Sequence, residues 1–185
     1  MSWEFLTSSE WLGLDPEMIS VTVFEWDQNA PRDEESATIW KNIGMPEDRI
    51  AYLPAWDNWW AAGPTGPCGP DTEIFYFRSN DEIPEVFDPE DDRWVEIWNN
   101  VFMEFYKDEN GNVTELPKKN VDTGMGYERA TAVLEGVLDN YTSSVWKDVI
   151  DLISDIAKKP YIGNEESMRI IADHIRTAVF ISADP

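Results

Sequence analysis

Between Asn120 and Arg129 the chain reads Asn-Val-Asp-Thr-Gly-Met-Gly-Tyr-Glu-Arg. These residue types suit a ligand with one anionic and one cationic end. Gly124 and Gly126 sit where a strand ending at Val121 gives way to a helical pattern of Tyr127, Ala130, Leu134, Val137 and Leu138. Glycines at such a junction let the backbone approach a ligand closely. Arg129, one turn into the helix, can fork two hydrogen bonds onto a phosphate. The carboxylate of Asp122 can hold an ammonium group or a metal. A turn with a surface Asp and Arg fits the same ten residues, because a Gly-x-Gly pair is a short signal. On a helical wheel Arg129 points away from Tyr127, Leu134 and Leu138, the expected core face, which suits solvent and a cleft equally.

Three other groups have chemical potential. Glu73, on a predicted strand Thr72–Phe77, can bind Mg²⁺ beside nucleotide phosphates, since that ion takes hard oxygen ligands; a solvated strand carboxylate fits as well. Asn99 lies in a predicted strand from Trp94 to Tyr106 whose two faces are both largely apolar, the pattern of a central strand covered on both sides. An unpaired amide there costs about 1–3 kcal/mol, so Asn99 needs a partner, either backbone, water or ligand. Val101 shares its face by strand alternation. Cys68 and His174 are single residues of their types, far apart in sequence, and packing roles suit them better than a metal site or a nucleophile–base pair.

The elements that must position these residues can be read in order. Residues 2–12 resemble the back part of a helix, and Asp15-Pro16 marks a turn or helix start. Ile19–Trp26 has strand composition. A helix over Glu34–Ile43 is closed by Gly44 and Pro46, and Ile50–Leu53 is a short strand. Six of the eight residues from Gly63 to Pro70 are Gly or Pro, which bars a helix or a central strand and leaves a stiff loop, either a pocket wall or a rigid crossover. Residues 79–92 form an acidic, solvated loop. Asn110-Gly111 turns a hairpin that can bring the Asn99 strand beside Asp122, with Pro117 interrupting the return strand. Helices follow over Ser143–Ala157 and Glu165–Ile181, the latter capped by Asn164.

Composition sets the bounds. The chain has 185 residues, 42% of them hydrophobic, with a formal charge of −23. That length suits one domain and the start of a second. A surface so acidic repels nucleic-acid phosphates and anionic membranes unless basic residues are gathered in one place, and Lys118-Lys119 is the nearest approach to such a cluster. One cysteine excludes a disulfide framework and fits a reducing, cytoplasmic compartment. No stretch is long and apolar enough to cross a bilayer.

Taken in order, Asp57-Asn-Trp-Trp60, Gly63-Pro-Thr-Gly-Pro-Cys-Gly-Pro70, Thr72-Glu-Ile-Phe-Tyr76, Trp98-Asn-Asn-Val-Phe-Met103, Val121-Asp-Thr-Gly-Met-Gly126 with Glu128-Arg129, and Ile171-Ala-Asp-His-Ile-Arg176 resemble the alanyl-tRNA synthetases. The resemblance implies an α+β fold, a class II synthetase antiparallel sheet flanked by helices. Residues 1–140 would be the C-terminal part of the alanine-activating catalytic domain, and 141–185 the start of a helical tRNA-binding domain. It implies ATP-dependent activation of alanine, then transfer to tRNA(Ala), with ATP and Mg²⁺ as cofactors; the zinc of the family's editing domain is not expected in this segment. The carried-over residues are Trp60, Asn99, Val101, Asp122 and Gly124 for alanine, and Glu73, Gly124, Gly126 and Arg129 for ATP. Asp122 and Arg129 would be the catalytic pair.

This sequence departs from the family pattern at Tyr127, in place of the usual Leu, and at Phe77, where Asp is usual. The family's first two motifs are expected ahead of Met1, and with them the arginine that meets the α-phosphate. These 185 residues alone are therefore expected not to activate alanine. A non-catalytic paralogue that keeps the pocket as a binding module is the competing reading.

Overall fold

The computed structural model describes residues 1–184. By contact it divides into two compact units, Met1–Tyr127 and Glu128–Pro185. Among the described residues of the first unit, six strands form one mixed sheet in the order β2-β1-β4-β5-β6, with β3 paired to β4 off that path. β1 (Ile19–Phe24) is buried at all six positions, as a strand covered on both faces must be. Its pairing with β2 (Ile50–Leu53) is the parallel one; β1 with β4, and each later pairing, is antiparallel. A parallel neighbour needs a crossover, which α2 (Glu34–Asn42) supplies, its N-terminus capped by Asp33 accepting from Ser36 N and its end followed by Gly44 at φ +104°. α1 (Ser2–Thr7) is shorter than the 2–12 helix expected, and the chain turns at Gly13, φ +63°.

Two expectations about the sheet are corrected. The Gly/Pro stretch does carry a central strand: β4 spans Gly66–Phe77. Its first half pairs with β3 (Trp59–Ala61) on one side and with β5 (Trp94–Lys107) on the other. Pro70 is tolerated because the β4–β5 register breaks between Cys68 and Asp71, so Gly69 and Pro70 stand opposite an irregular piece of β5, while Pro67 keeps its place opposite Tyr106. β6 (Val113–Met125) also runs past Val121, the strand end expected from sequence. The interruption at Pro117 is present: Phe105 pairs with Glu115 and Met103 with Asn120, so residues 116–119 bulge out of the ladder. The acidic loop 79–92 is not wholly solvated either. Phe87 is buried against Phe77 and Trp94.

The second unit is helical: α4 (Tyr127–Leu134), α5 (Lys147–Ala157) and α6 (Glu165–Ala183). Trp146, Ile150 and Ile153 pack on Met168 and Ala172. The face of α4 that is buried carries Ala130, Ala132 and Val133, while Tyr127, Leu134 and Leu138 are exposed. Ala130 is buried as the sequence pattern expects, while Ala132 and Val133 take the inward positions expected of Leu134 and Leu138. Asn164 stands at the start of α6 without a side-chain cap; its amide donates to the Pro160 carbonyl instead.

Candidate functional site

Strand register brings the predicted residues together. The Asn110 hairpin aligns β5 with β6 so that Asn99 faces Gly124 and Val101 faces Asp122. Across the other side of β5, Glu73 faces Asn99 and Asp71 faces Val101. Directly opposed residues share a face, so two rows cross three strands on one side of the sheet: Glu73–Asn99–Gly124 and Asp71–Val101–Asp122. Trp60, on β3, alternates with Trp59, whose ring packs into the core against Phe24 and Phe105. Trp60, Asn99, Val101, Asp122, Gly124 and Gly126 all line one cavity of 310 Å³, at the small end of the range of about 300–1,000 Å³ for ligand sites.

The cavity's charge is one-sided. Its other lining residues are Glu96, Thr123 and Met125, and none of the nine is basic. Asp122 Oδ1 accepts from Thr123 N at 2.9 Å, which fixes the carboxylate. On the opposite face Thr123 Oγ1 is held by Trp98 Nε1 at 2.5 Å and bonds Asn100 Oδ1 at 2.9 Å, pinning the β6 backbone at the cavity. An acidic, water-accessible wall beside Trp60 and Val101 suits a small ligand carrying a cation. A larger cavity of 460 Å³ lies between α1, α2 and the other face of the sheet, lined by Trp3, Ile39, Trp40 and Phe102; it lacks convergent charge.

Sequence reasoning missed a buried polar pair next to the cavity and outside its lining, with Asp71 opposite Val101. Asp71 is buried, and Asn58 wholly so. Asn58 Nδ2 donates to Asp71 Oδ1 at 2.9 Å and to Thr22 Oγ1 at 2.8 Å. Burial pushes the Asp71 carboxyl up to about 6 against the Asn58 hydrogen bond and the nearby Asn99 amide, with Glu96 and Asp57 adding repulsion. Asp71 stands two residues before Glu73 and so on the same face, a parity signal available in the sequence once Thr72–Phe77 is read as a strand; the loop reading of residues 63–70 hid it.

The sign of this shift gives a measurable result. A carboxyl whose folded value lies above its ordinary one favours the fold when protonated. That contribution is complete below about pH 4 and is lost as pH rises through about 6. The span corresponds to about 3 kcal/mol. Between pH 4 and pH 7 the unfolding free energy of Asp71→Asn is therefore expected to gain about that much on the unmodified protein. Urea unfolding at both pH values measures it, and parallel pH dependences would show that Asp71 is not held in this way.

The remaining candidates are not among the nine residues that line the cavity. Glu73 is half-buried in its strand and Arg129 is exposed on the first turn of α4. Cys68 is buried with its thiol pushed up by desolvation, the opposite of an activated thiolate. His174 is exposed on α6. In the second unit Asp139 gathers Tyr161 and Arg169, Tyr141 donates to Asp173, and Arg176 lies over the Trp146 ring and bonds Glu128; these tie the helices together. No helix is long and apolar enough to cross a membrane among the described residues.

The profile of the class II tRNA synthetases (A) matches residues 1–185. The alanine–tRNA ligase of Treponema denticola is 48% identical over 190 residues, covering 100% of this chain and 32% of the ligase. That of Borrelia hermsii is 46% identical, covering 99% and 32%, and that of Neisseria gonorrhoeae 43% identical, covering 99% and 22%. The chain thus spans between about a fifth and a third of the length of these relatives.

Proposed function

We propose that this chain, which belongs to the class II tRNA synthetases (A), is the amino-acid-binding part of an alanine–tRNA ligase. In the whole protein it activates alanine with ATP and passes it to tRNA(Ala) in the cytoplasm. The observation that carries the reading is the convergence of Trp60, Asn99, Val101, Asp122, Gly124 and Gly126 on one small acidic cavity. Asp122 and Asn99 receive the ammonium group. Trp60 and Val101 leave room for a methyl group. The alanine carboxylate attacks the α-phosphorus of ATP, pyrophosphate leaves, and the aminoacyl group then moves to a tRNA hydroxyl with release of AMP.

Arg129 follows Gly126 by three residues and is the fork for the ATP phosphates. Mg²⁺ held mainly by those phosphates needs only one or two protein carboxylates; Glu73, opposite Asn99 in the register, is the residue that would hold it. When bound, the ion offsets phosphate charge. A pocket-only binding module is disfavoured, because identity to alanine–tRNA ligases of 43–48% runs the length of the chain and the alanine-binding set is present in full.

Alanine-dependent ATP–pyrophosphate exchange by the full-length protein tests the proposal. Exchange with alanine is expected, with glycine disfavoured by only about 1–3 kcal/mol, the worth of one methyl group. Exchange driven by a different amino acid and not by alanine would overturn the reading. Arg129→Lys is expected to raise the KM for ATP about tenfold or more, since a point charge cannot replace a bidentate fork. An unchanged KM for ATP would return Arg129 to the solvent.

A further inference from the structure

Asn58 is a polar side chain with no exposed surface, a placement that is costly unless the amide is hydrogen-bonded. The sheet explains where its bonds go. One edge of β4 is taken by β5 along both halves of the strand, so β1 and β3 share the other. β1 pairs with Ile74, Phe75 and Tyr76, and β3 with Cys68, Gly69 and Pro70. Asn58 is the last residue of α3 (Ala55–Asn58) and directly precedes β3, at the fork between the two partners. Its Nδ2 donates to Thr22 Oγ1 on β1 at 2.8 Å and to Asp71 Oδ1 on β4 at 2.9 Å. A carboxylate only accepts, so the NH₂ end of the amide must face Asp71. Thr22 is held in turn: Thr72 Oγ1 donates to its carbonyl at 2.6 Å and accepts from Trp40 Nε1 at 2.9 Å.

We infer that Asn58 is a positioning residue for alanine recognition: by tying the start of β3 to β1 and β4 it sets where Trp60, two residues on, stands on the cavity wall. The inference deepens the proposed function and rests on it. Asn58 is outside the cavity lining and acts through a residue that is part of it. β3 has three residues and pairs with β4 alone, so its own ladder holds it weakly. The Trp59 ring, packed on Phe24 and Phe105, fixes which face each residue of β3 takes. The Asn58 amide fixes the distance of the strand's start from β1 and β4. Without that amide Trp60 draws back, and the cavity widens where Trp60 and Val101 close around a methyl group. The loss falls on alanine and on the rejection of longer side chains, and spares ATP.

The test is pyrophosphate exchange in the full-length protein at pH 7.5, with thermal unfolding of each variant. Asn58→Ala is expected to raise the KM for alanine about tenfold or more and leave that for ATP within about twofold. The preference for alanine over 2-aminobutyrate, one methylene longer, is expected to fall about fivefold or more. A protein that is only less stable keeps its KM and its selectivity in the molecules that stay folded, so an unchanged alanine KM or an unchanged preference overturns the inference. In a Trp60→Ala background, adding Asn58→Ala is expected to change the alanine KM by less than about twofold, because the wall it positions is gone. A second tenfold rise there would show that Asn58 does not act through Trp60.

Two further comparisons hold even where Asn58→Ala fails to fold. Asn58→Asp joined with Asp71→Asn exchanges donor and acceptor between β3 and β4, and the Thr22 hydroxyl can donate where it accepted. This double variant is expected to lie within about threefold of the unmodified protein in alanine KM. Thr22→Val removes the β1 acceptor and is expected to raise the alanine KM about threefold or more, while Thr22→Ser, which keeps the hydroxyl, stays within about twofold. Equal alanine KM values for Thr22→Val and Thr22→Ser overturn the inference. Absence of alanine-dependent exchange in the unmodified protein would instead overturn the proposed function.

Discussion

Asp122→Asn in the full-length protein is expected to lower kcat/KM for alanine by about 100-fold or more, a loss of about 3 kcal/mol. The substitution is nearly isosteric. Its Oδ1 can still accept from Thr123 N, the bond that fixes the Asp122 side chain, and Thr123 remains pinned by Trp98 and Asn100 on the other face. The strand and the cavity wall therefore stay in place and only the charge is removed. An ammonium taken from water into a cavity lined by Trp60 and Val101 must be compensated by charge, and leaving one partner of such a pair without the other costs about 2–5 kcal/mol. Glu96, also on the wall, does not share the row that runs from Asp71 through Val101 to Asp122, so it does not replace the lost carboxylate. The KM for ATP is expected to stay within about twofold. An alanine kcat/KM equal to that of the unmodified protein would remove Asp122 from the site.

Why the site was readable and part of its frame was not follows from two kinds of constraint. Asn99 and Val101 share a face because alternation is a local rule, and Asn110-Gly111 is a local turn signal; together they bring β5 beside Asp122 with no knowledge of the rest of the chain. The family resemblance then supplied roles for Trp60 and Asp122. Asp71 and Asn58 were missed because their importance is non-local. It arises from a β4–β5 register that breaks at Cys68 and Asp71 and resumes with Asp71 opposite Val101. Nothing in the spacing of residues 66–71 predicts where a broken ladder resumes. Part of the α4 face was misread for a related reason: hydrophobicity ranks Leu134 above Ala132, whereas the packing buries Ala132 and leaves Leu134 exposed. The acidic loop yielded Phe87 to the core because one aromatic in a charged run can find a partner that only the folded chain provides.

Gly69→Ala is expected to destabilise the protein by about 3–5 kcal/mol, at the upper end of single substitutions. Gly69 lies on β4 between two neighbours, facing Trp60 on β3 and the irregular stretch of β5 where the register slips. A Cβ built on it would fall 1.9 Å from the carbonyl oxygen of Phe102, 3.0 Å from its carbonyl carbon and 3.1 Å from Glu104 N. These are backbone atoms inside a paired sheet, so no side chain can swing away to make room. One strand must shift, and with it either the pairing to β3 or the pairing to β5. This close approach is also why a Gly/Pro-rich segment can act as a central strand. The glycine permits backbone contact where the ladder is broken, and the break spares Pro70 a donor it does not have. The control is Gly124→Ala, at another β-strand glycine, where an added Cβ meets nothing within 4 Å. Thermal unfolding followed by circular dichroism should show a midpoint lowered by about 10 °C or more for Gly69→Ala and by about 2 °C or less for Gly124→Ala. Because Gly124 lines the cavity and Gly69 does not, Gly124→Ala should instead raise the KM for alanine in the full-length protein. Equal midpoints for the two variants would mean that β4 and β5 do not approach as closely at Gly69 as the register requires, and the placement of Trp60 on the cavity wall would fall with it.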